Sequence, residues 1–197
     1  MPRVGLTPDR VVVEAERLAD EVGMDTLTLA ALADTLDVRQ PSLYKHIDGL
    51  PALKRAIAVR AKTDLADVLT RAAVGKALGD AVRAISLAYR DWARTHPGRY
   101  QATLRAPDPT DPADQAASAA AVGVVLDVLS GYQLQGDDAI DAARALRSAL
   151  HGFVSLEAAG GFGLPRSLDS SYSRLVEGFI RTLEQRPHTG DDTSVGA

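Results

Sequence analysis

A run of polar side chains in residues 39–46 is the part of the sequence best suited to chemistry. It holds a guanidinium, an amide, two hydroxyls, an amine and an imidazole. Such groups can bond the base edges and phosphate oxygens of DNA. Val38, Leu43 and Ile47 are apolar and could anchor a short helix while its polar groups stay outside the core. The pattern predicts a helix from Gln40 to His46 with an exposed polar side.

Each polar side chain in this run has a role that its chemistry suits. Gln40 can pair with adenine or another base edge. Ser42, Lys45 and His46 suit contacts with phosphate oxygens, and Tyr44 offers both an apolar ring and a hydroxyl group. Lys45 or His46 taken alone would be as typical of a solvated surface as of a phosphate contact. The interpretation therefore depends on the helices around the run.

Two helices that precede this run would hold it in place. A threonine followed by a proline begins a first helix over residues 8–22, and a glycine ends it. Thr28 can cap a short second helix over residues 29–36, and residues 37–38 form a tight connection to the third. Two short helices joined by a tight turn and packed on a longer one predict a helix-turn-helix.

The rest of the chain also shows helical periodicity. A fourth helix begins near Leu50 and runs past Leu69, and a loop is expected at residues 106–112. Since no run shows the two-residue period of a strand, the chain is predicted to be all-α, with about nine helices. Further helices are expected around residues 78–92, 97–104, 112–133, 136–153 and 172–183.

This pattern divides the chain into parts. We expect a three-helix helix-turn-helix domain over residues 1–50 and a connecting helix over residues 51–73. A second helical domain follows over residues 74–186, and residues 187–197 are polar and predicted to be a disordered tail.

Composition narrows the function classes. The absence of cysteine excludes disulfides, thiolate zinc sites and cysteine nucleophiles. The sequence has no serine elbow, Walker loop or His-Glu-x-x-His motif, so neither an enzyme nor a metal or cofactor site is expected. No apolar run approaches ~20 residues, so we expect a cytoplasmic protein without a membrane span. The net charge of −4 does not by itself indicate nucleic-acid binding, but local placement of charge governs docking.

Two stretches of the N-terminal region, residues 27–33 and 38–47, closely resemble the DNA-binding domain of the TetR family. The run Gln-Pro-Ser-Leu-Tyr-Lys-His is the most specific part. Residues 89–97 and 151–157 look like the C-terminal domain of one TetR subgroup. The resemblance implies a homodimer with a four-helix dimerisation bundle, and a C-terminal pocket for a small-molecule effector. Residues 74–186 would then be the ligand-binding and dimerisation domain.

The resemblance also assigns the contacts to a double-stranded DNA operator. It implies that Gln40, Pro41 and Tyr44 face bases and that phosphates are contacted from both sides of the turn. The full set of expected DNA-binding residues is Thr28, Arg39, Gln40, Pro41, Ser42, Tyr44, Lys45 and His46.

The sequence departs from the family pattern at two DNA-contacting positions. Ala30 stands where some relatives have a base-reading arginine, and Leu50 stands where most have a phosphate-anchoring lysine. Residues 1–50 also carry five basic and nine acidic side chains. Our hypothesis is that Lys54 and Arg55 partly replace the missing anchor.

Aromatic and apolar residues at helical spacing are the candidates for the pocket. They could equally be plain core, because the same spacing serves both purposes. His151 could be a packed or interfacial histidine or a ligand sensor, and Glu157 could pair across a dimer or lie at a helix rim. The expected ligand-binding residues are Tyr89, Trp92, Tyr100, Leu104, Phe153 and Phe162.

A wide apolar face on the last two long helices predicts the dimer interface, although an intramolecular core would also explain it. The expected function is a transcriptional regulator, most commonly a repressor, that binds a palindromic operator as a dimer and is released by a small molecule. The alternative is a helical protein-interaction module that has lost operator binding. The interface residues are predicted to be Leu146, Leu150, Phe153, Tyr172, Leu175, Val176, Phe179 and Ile180.

Overall fold

The computed structural model describes residues 5–185, and this part of the chain consists of helices joined by turns and loops. It contains eight α-helices and one 3₁₀ helix, and no strand occurs within it. The all-α prediction is thus confirmed, whereas the tail expected at residues 187–197 lies outside the described residues. The elements are α1 (Pro8–Val22), α2 (Leu29–Thr35), η1 (Gln40–Lys45), α3 (Gly49–Ala73), α4 (Leu78–Thr95), α5 (Pro97–Ala102), α6 (Pro112–Ser130), α7 (Gly136–Ala158) and α8 (Leu168–Glu184).

Capping residues set the ends of the first two helices as the sequence predicts. The hydroxyl oxygen of Thr7 accepts a hydrogen bond from the backbone N–H of Arg10 at 3.2 Å. Gly23 ends α1 with a φ of 88°, a conformation that costs glycine little. The hydroxyl oxygen of Thr28 accepts from the N–H of Ala31 at 3.1 Å and so begins α2. These bonds satisfy N–H groups that have no partner inside the helix.

The interior is divided into two apolar clusters, and α3 belongs to both. Leu53 and Ile57, from the first half of α3, pack with α1, α2 and η1 in the N-terminal core. Ala61, Leu65 and Leu69, from the second half, pack with α4, α6, α7 and α8 in the C-terminal core. A single helix of 25 residues therefore ties the helix-turn-helix to the larger domain.

Helix α5 provides a second connection, because it crosses the C-terminal end of α1 at very short range. Gly98 lies so close that a Cβ atom there would be 1.9 Å from the carbonyl oxygen of Ala19. Next to it, Arg99 donates from its backbone N–H and its Nε to the Asp20 carboxylate, at 2.8 and 2.7 Å. The backbone N–H of Met24 donates to the side-chain oxygen of Gln101 at 3.3 Å.

One helix differs from the expectation that no segment could cross a membrane. By length and composition alone, α6 is apolar enough to do so, and 17% of its apolar window is buried inside the protomer. A single such helix is weak evidence for a membrane span. In this fold α6 packs against α3 and α7, and its first turn carries the buried Asp114.

We predict that Gly98→Ala destabilises the fold, because the added methyl group has to push α5 away from the Ala19 carbonyl. Overpacking of this kind costs ~1–3 kcal/mol or more, and 1–3 kcal/mol corresponds to a fall in Tm of roughly 2–12 °C for a chain of this length. The matched control is Gly123→Ala in α6, where an added Cβ meets no atom within 4 Å. The control should raise the stability by up to ~1 kcal/mol through helix propensity. Equal thermal unfolding midpoints for the two variants would contradict the close crossing.

Candidate DNA-binding surface and ligand cavity

The turn between α2 and η1 is short because its backbone closes on itself. Asp37 has a left-handed φ of 52°, and the N–H of Val38 donates to the carbonyl of Ala33 at 3.0 Å. The N–H of Ser42 then donates to the carbonyl of Arg39 at 2.8 Å, a 3₁₀ spacing. The short helix predicted at residues 40–46 is therefore present, in the tighter 3₁₀ form that suits brief segments.

One apolar side chain anchors η1, and its polar side chains point away from the core. Leu43 is 0% exposed, whereas its neighbour Tyr44 is 55% exposed. Among the eight expected DNA-binding residues, Ser42 and His46 are half-buried and the other six are exposed. Within residues 5–185, no side chain from Gln40 to His46 forms a hydrogen bond or ion pair with the protein. The polar groups of η1 are thus available to an external partner.

The residues proposed to replace the phosphate anchor differ in their availability. Arg55 forms a two-pronged ion pair with Asp111, one contact of which is Nη2 to Oδ1 at 2.6 Å. Lys54 is half-buried and has no carboxylate partner in the described part of the chain. Of the two, only Lys54 retains an uncommitted charge near the start of α3.

A cavity of about 760 Å³ lies in the C-terminal domain, between α3, α4, α6, α7 and the loop before α6. Its walls are mostly apolar, and its volume lies in the ~300–1,000 Å³ range of small-molecule sites. The main apolar walls are Leu65, Leu69, Ile85, Val125, Leu146 and Leu150.

Of the six residues predicted for the pocket, only Tyr89 lines this cavity. Trp92 is buried, and its indole N–H donates to the Asp64 carboxylate at 2.9 Å. Tyr100 lies behind Tyr89, with 2.8 Å between the two hydroxyl oxygens, and Leu104 is exposed on the loop. Helical spacing predicted that the buried aromatic side chains face the interior. It could not distinguish a side chain that lines the cavity from one that packs in the core.

The two predicted phenylalanines pack in another cluster. The ring of Phe153 lies 4.8 Å from that of Phe162 and 5.0 Å from that of Tyr172. The guanidinium of Arg90 covers Phe153 and Tyr172 and donates to Glu157 at 2.8 and 2.7 Å. The Arg90 guanidinium lowers the pKa of Glu157. Glu157 therefore has its ion-pair partner inside the protomer rather than across a dimer.

A chain of polar groups connects the cavity wall to the outer side of α7. The hydroxyl of Tyr89 contacts that of Tyr100, which lies 2.6 Å from Nδ1 of His151. The same nitrogen lies 3.3 Å from the Ser155 hydroxyl. Burial raises the pKa of both tyrosines, so they remain neutral hydrogen-bonding groups. His151 therefore packs against a tyrosine rather than lining the cavity.

Cationic residues of the cavity were not predicted from the sequence. Lys62, Arg105, Arg144 and Arg147 all line it. The available signal was the run of alanines in α6, because small side chains on a helix that faces three others leave space unfilled.

Most of the predicted dimer residues are already used inside the protomer. Six of the eight are buried in the C-terminal core, namely Leu146, Leu150, Phe153, Tyr172, Val176 and Ile180. Leu175 and Phe179 are only partly buried and remain accessible. The predicted apolar stripe is present, but it faces α4 and the rest of the C-terminal core.

Two ion pairs join α3 to the segment that borders the cavity. Arg55 bonds Asp111, and Lys62, which is 4% exposed, bonds Asp114. The Arg55 guanidinium lowers the pKa of Asp111. Burial opposes ionisation of Asp114, but its bonds from Lys62 and from the Asp108 N–H outweigh this effect and lower its pKa. Both carboxyls are therefore ionised partners of α3.

Comparison with known proteins agrees with this architecture. Residues 82–179 match the family described as Tetracyclin repressor-like, C-terminal domain. The chain is 44% identical over 190 residues to the HTH-type transcriptional regulator Rv0681 of Mycobacterium tuberculosis, covering 96% of this chain and 87% of the relative. A protein from Rhodococcus sp. RHA1 superposes with a TM-score of 0.79 at 24% identity, covering 94% and 100% of the two chains.

A TetR variant from Acinetobacter baumannii AYE, solved in complex with minocycline, has a TM-score of 0.67 at 25% identity. The superposition covers 91% of this chain and 97% of the other. The fold and the outward polar helix define a helix-turn-helix DNA-binding regulator. The chain belongs to the TetR family of transcriptional regulators. This family is not enzymatic, as the sequence analysis expected.

We predict opposite roles for two adjacent residues of η1. Leu43→Ala should lower the free energy of unfolding by ~2–5 kcal/mol, because it empties a fully buried site. Tyr44→Ala should change it by less than ~0.5 kcal/mol, because the ring lies outside the core. Chemical denaturation followed by circular dichroism measures both. A large loss of stability in Tyr44→Ala would mean that the ring packs on the protein rather than facing outward.

Proposed function

We propose that this regulator binds a palindromic operator as a homodimer and is released from it by a small molecule. The observation that carries the proposal is the pairing of a buried Leu43 with an outward, uncommitted polar face on η1. A helix of this kind can enter a major groove ~12 Å wide. DNA as the partner also favours a cytoplasmic location.

The proposed DNA contacts are those that the resemblance to the TetR family implies. Gln40, Pro41 and Tyr44 would face base edges, with Gln40 supplying a side-chain amide for adenine. Arg39, Ser42 and Lys45 would contact the backbone, together with His46. Thr28 would add a contact at the start of α2, where its hydroxyl already caps the helix and can still donate its hydrogen.

The proposed dimer uses the outer faces of α7 and α8. Since the inward stripe is occupied, the interface must come from the residues that the protomer leaves accessible. On α7 these include Gly152 and Leu156, and on α8 they include Leu175 and Phe179. The two residues on each helix are four positions apart and therefore share one face, which two copies could pack as a four-helix bundle.

The proposed release mechanism runs through α3. Lys62 lines the cavity, and Asp111 and Asp114 lie just beyond the loop that borders it. A ligand that displaces this loop would pull on Lys62 and Arg55 and move α3 together with η1. Two recognition helices must lie ~34–36 Å apart to occupy successive grooves, so a small shift of α3 would weaken binding. A coupling of ~1–3 kcal/mol would change operator affinity by roughly 5–150-fold.

A small-molecule effector is supported by two findings. The first is the size and the apolar lining of the cavity. The second is the relative from Acinetobacter baumannii AYE that was solved in complex with minocycline.

We predict that selection from a random DNA pool enriches a palindrome with the wild-type protein and not with Tyr44→Ala. The reason is that Tyr44 would contact bases while contributing little to stability. The matched control is Val74→Ala, which truncates an exposed side chain just after the C-terminal end of α3 and should retain selection. Failure of the wild type to retain any DNA would instead favour a helical protein-interaction module, a reading consistent with the acidic N-terminal region.

We predict that Gly152→Arg dissociates the dimer. A Cβ at this position meets no atom within 4 Å inside the protomer, so the variant should fold, but the long cation would enter the proposed interface. Gly123→Arg is the matched control, since its Cβ position is equally open on α6. Sedimentation velocity should show monomers for the first variant and dimers for the second. A dimeric Gly152→Arg would place the interface elsewhere.

A further inference from the structure

We propose that the effector is an amphipathic anion, with an apolar body and one anionic head group such as a carboxylate. This inference rests on the proposed function, because it names the class of molecule that the cavity would receive. Two observations carry it: the apolar walls of the cavity and the positive sign of every charged residue that lines it.

The charged residues that line the cavity all have the same sign. Lys62, Arg105, Arg144 and Arg147 contribute positive charge, and no aspartate or glutamate is among the lining residues. In a chain with a net charge of −4, this exclusion of acids is a local departure from the overall composition. A cationic ligand would find no partner here and would face several guanidinium groups.

Two of these cations form no direct ion pair within the described residues, although Arg105 acts on Asp108 at longer range. Lys62 is committed to Asp114, and Arg144 lies 3.8 Å from Asp141. Arg105 and Arg147, by contrast, form no ion pair with any carboxylate in residues 5–185. They are exposed at the border of the cavity, where a guanidinium can remain solvated until an anion arrives.

The position of Arg147 directs the head group toward the tyrosine side of the cavity. Burial raises the pKa of Tyr89 and Tyr100, and the charge of Arg147 acts in the opposite direction on both. Arg147 therefore lies near the wall where Tyr89 is exposed to the cavity. Two apolar residues of the same helix, Leu146 and Leu150, line the cavity next to Arg147.

The test is titration calorimetry on the full chain with four probes that share a twelve-carbon body. Dodecanoate and dodecyl phosphate are anionic, 1-dodecanol is neutral and dodecylamine is cationic, all used below their aggregation concentrations. We expect at least one anion to bind ten-fold or more tightly than the alcohol, with the amine weakest. Which anion binds better identifies the source of the negative charge. Binding of the alcohol or amine as tightly as both anions, or no binding of either anion, would overturn the proposal.

Substitutions at the border of the cavity show whether the arginines cause the preference. Arg147→Gln and Arg105→Gln should each weaken binding of the preferred anion by about ten-fold, because charge-assisted hydrogen bonds are lost, and leave the alcohol unaffected. Arg71→Gln is the matched control, an exposed arginine of α3 that does not line the cavity, and should bind like the wild type. Unchanged anion binding in both border variants would overturn the assignment of the head group.

A parallel measurement of operator binding separates this inference from the proposed function. Fluorescence anisotropy with the selected operator should fall when the preferred anion is added to the wild type. Failure of the protein to bind DNA would refute the operator function, while calorimetry still decides the ligand class. Anion binding that leaves operator affinity unchanged would refute the effector role.

Discussion

The structure depends on one constraint, which is that α3 belongs to two apolar cores at once. At ~1.5 Å per residue, its 25 residues span roughly 37 Å, long enough for Leu53 and Ile57 to pack in one core and Leu65 and Leu69 in the other. Because protein interiors are close-packed, neither end of the helix can move without its neighbours. The position of η1 relative to the cavity is therefore determined by a single rigid element, supported by the close crossing of α5 on α1.

Charge placement has more influence on this protein than total charge. The chain is acidic, yet η1 presents uncommitted polar groups and the cavity is bordered by cations without an acid among them. Several of the acidic side chains form ion pairs inside the protomer, among them Asp111, Asp114 and Glu157. Lys62 and Asp114 form a buried pair, an arrangement that contributes little net stability but penalises any geometry that separates the charges.

The sequence predicted the helix-turn-helix well, because its signals are local. Threonine caps, a glycine stop and a family-specific run placed α1 at residues 8–22, as observed, and η1 within one residue of its end. Few of the cavity residues were predicted, because the spacing of aromatic residues such as Trp92 and Phe153 indicates only that they are buried. It does not show whether their rings face empty volume or other side chains. The space itself results from small side chains on α6, and empty volume leaves no periodic signal. Six of the eight predicted dimer residues lie in the protomer's own core for a related reason. A stripe that includes Leu146 and Leu150 can face a partner or that core, and the sequence does not show where α4 lies.

The proposal that a dimer places two η1 helices in successive major grooves is tested most directly by the distance between the two copies of η1 on DNA. The chain has no cysteine, so a single Asp48→Cys variant can be spin-labelled at an exposed position between η1 and α3 without touching the proposed contacts. Pulsed electron paramagnetic resonance on the operator complex should give one narrow distribution on the order of 35 Å, one turn of DNA. A much shorter distance, or no intermolecular distance at all, would mean that two recognition helices do not reach successive grooves and would contradict the account.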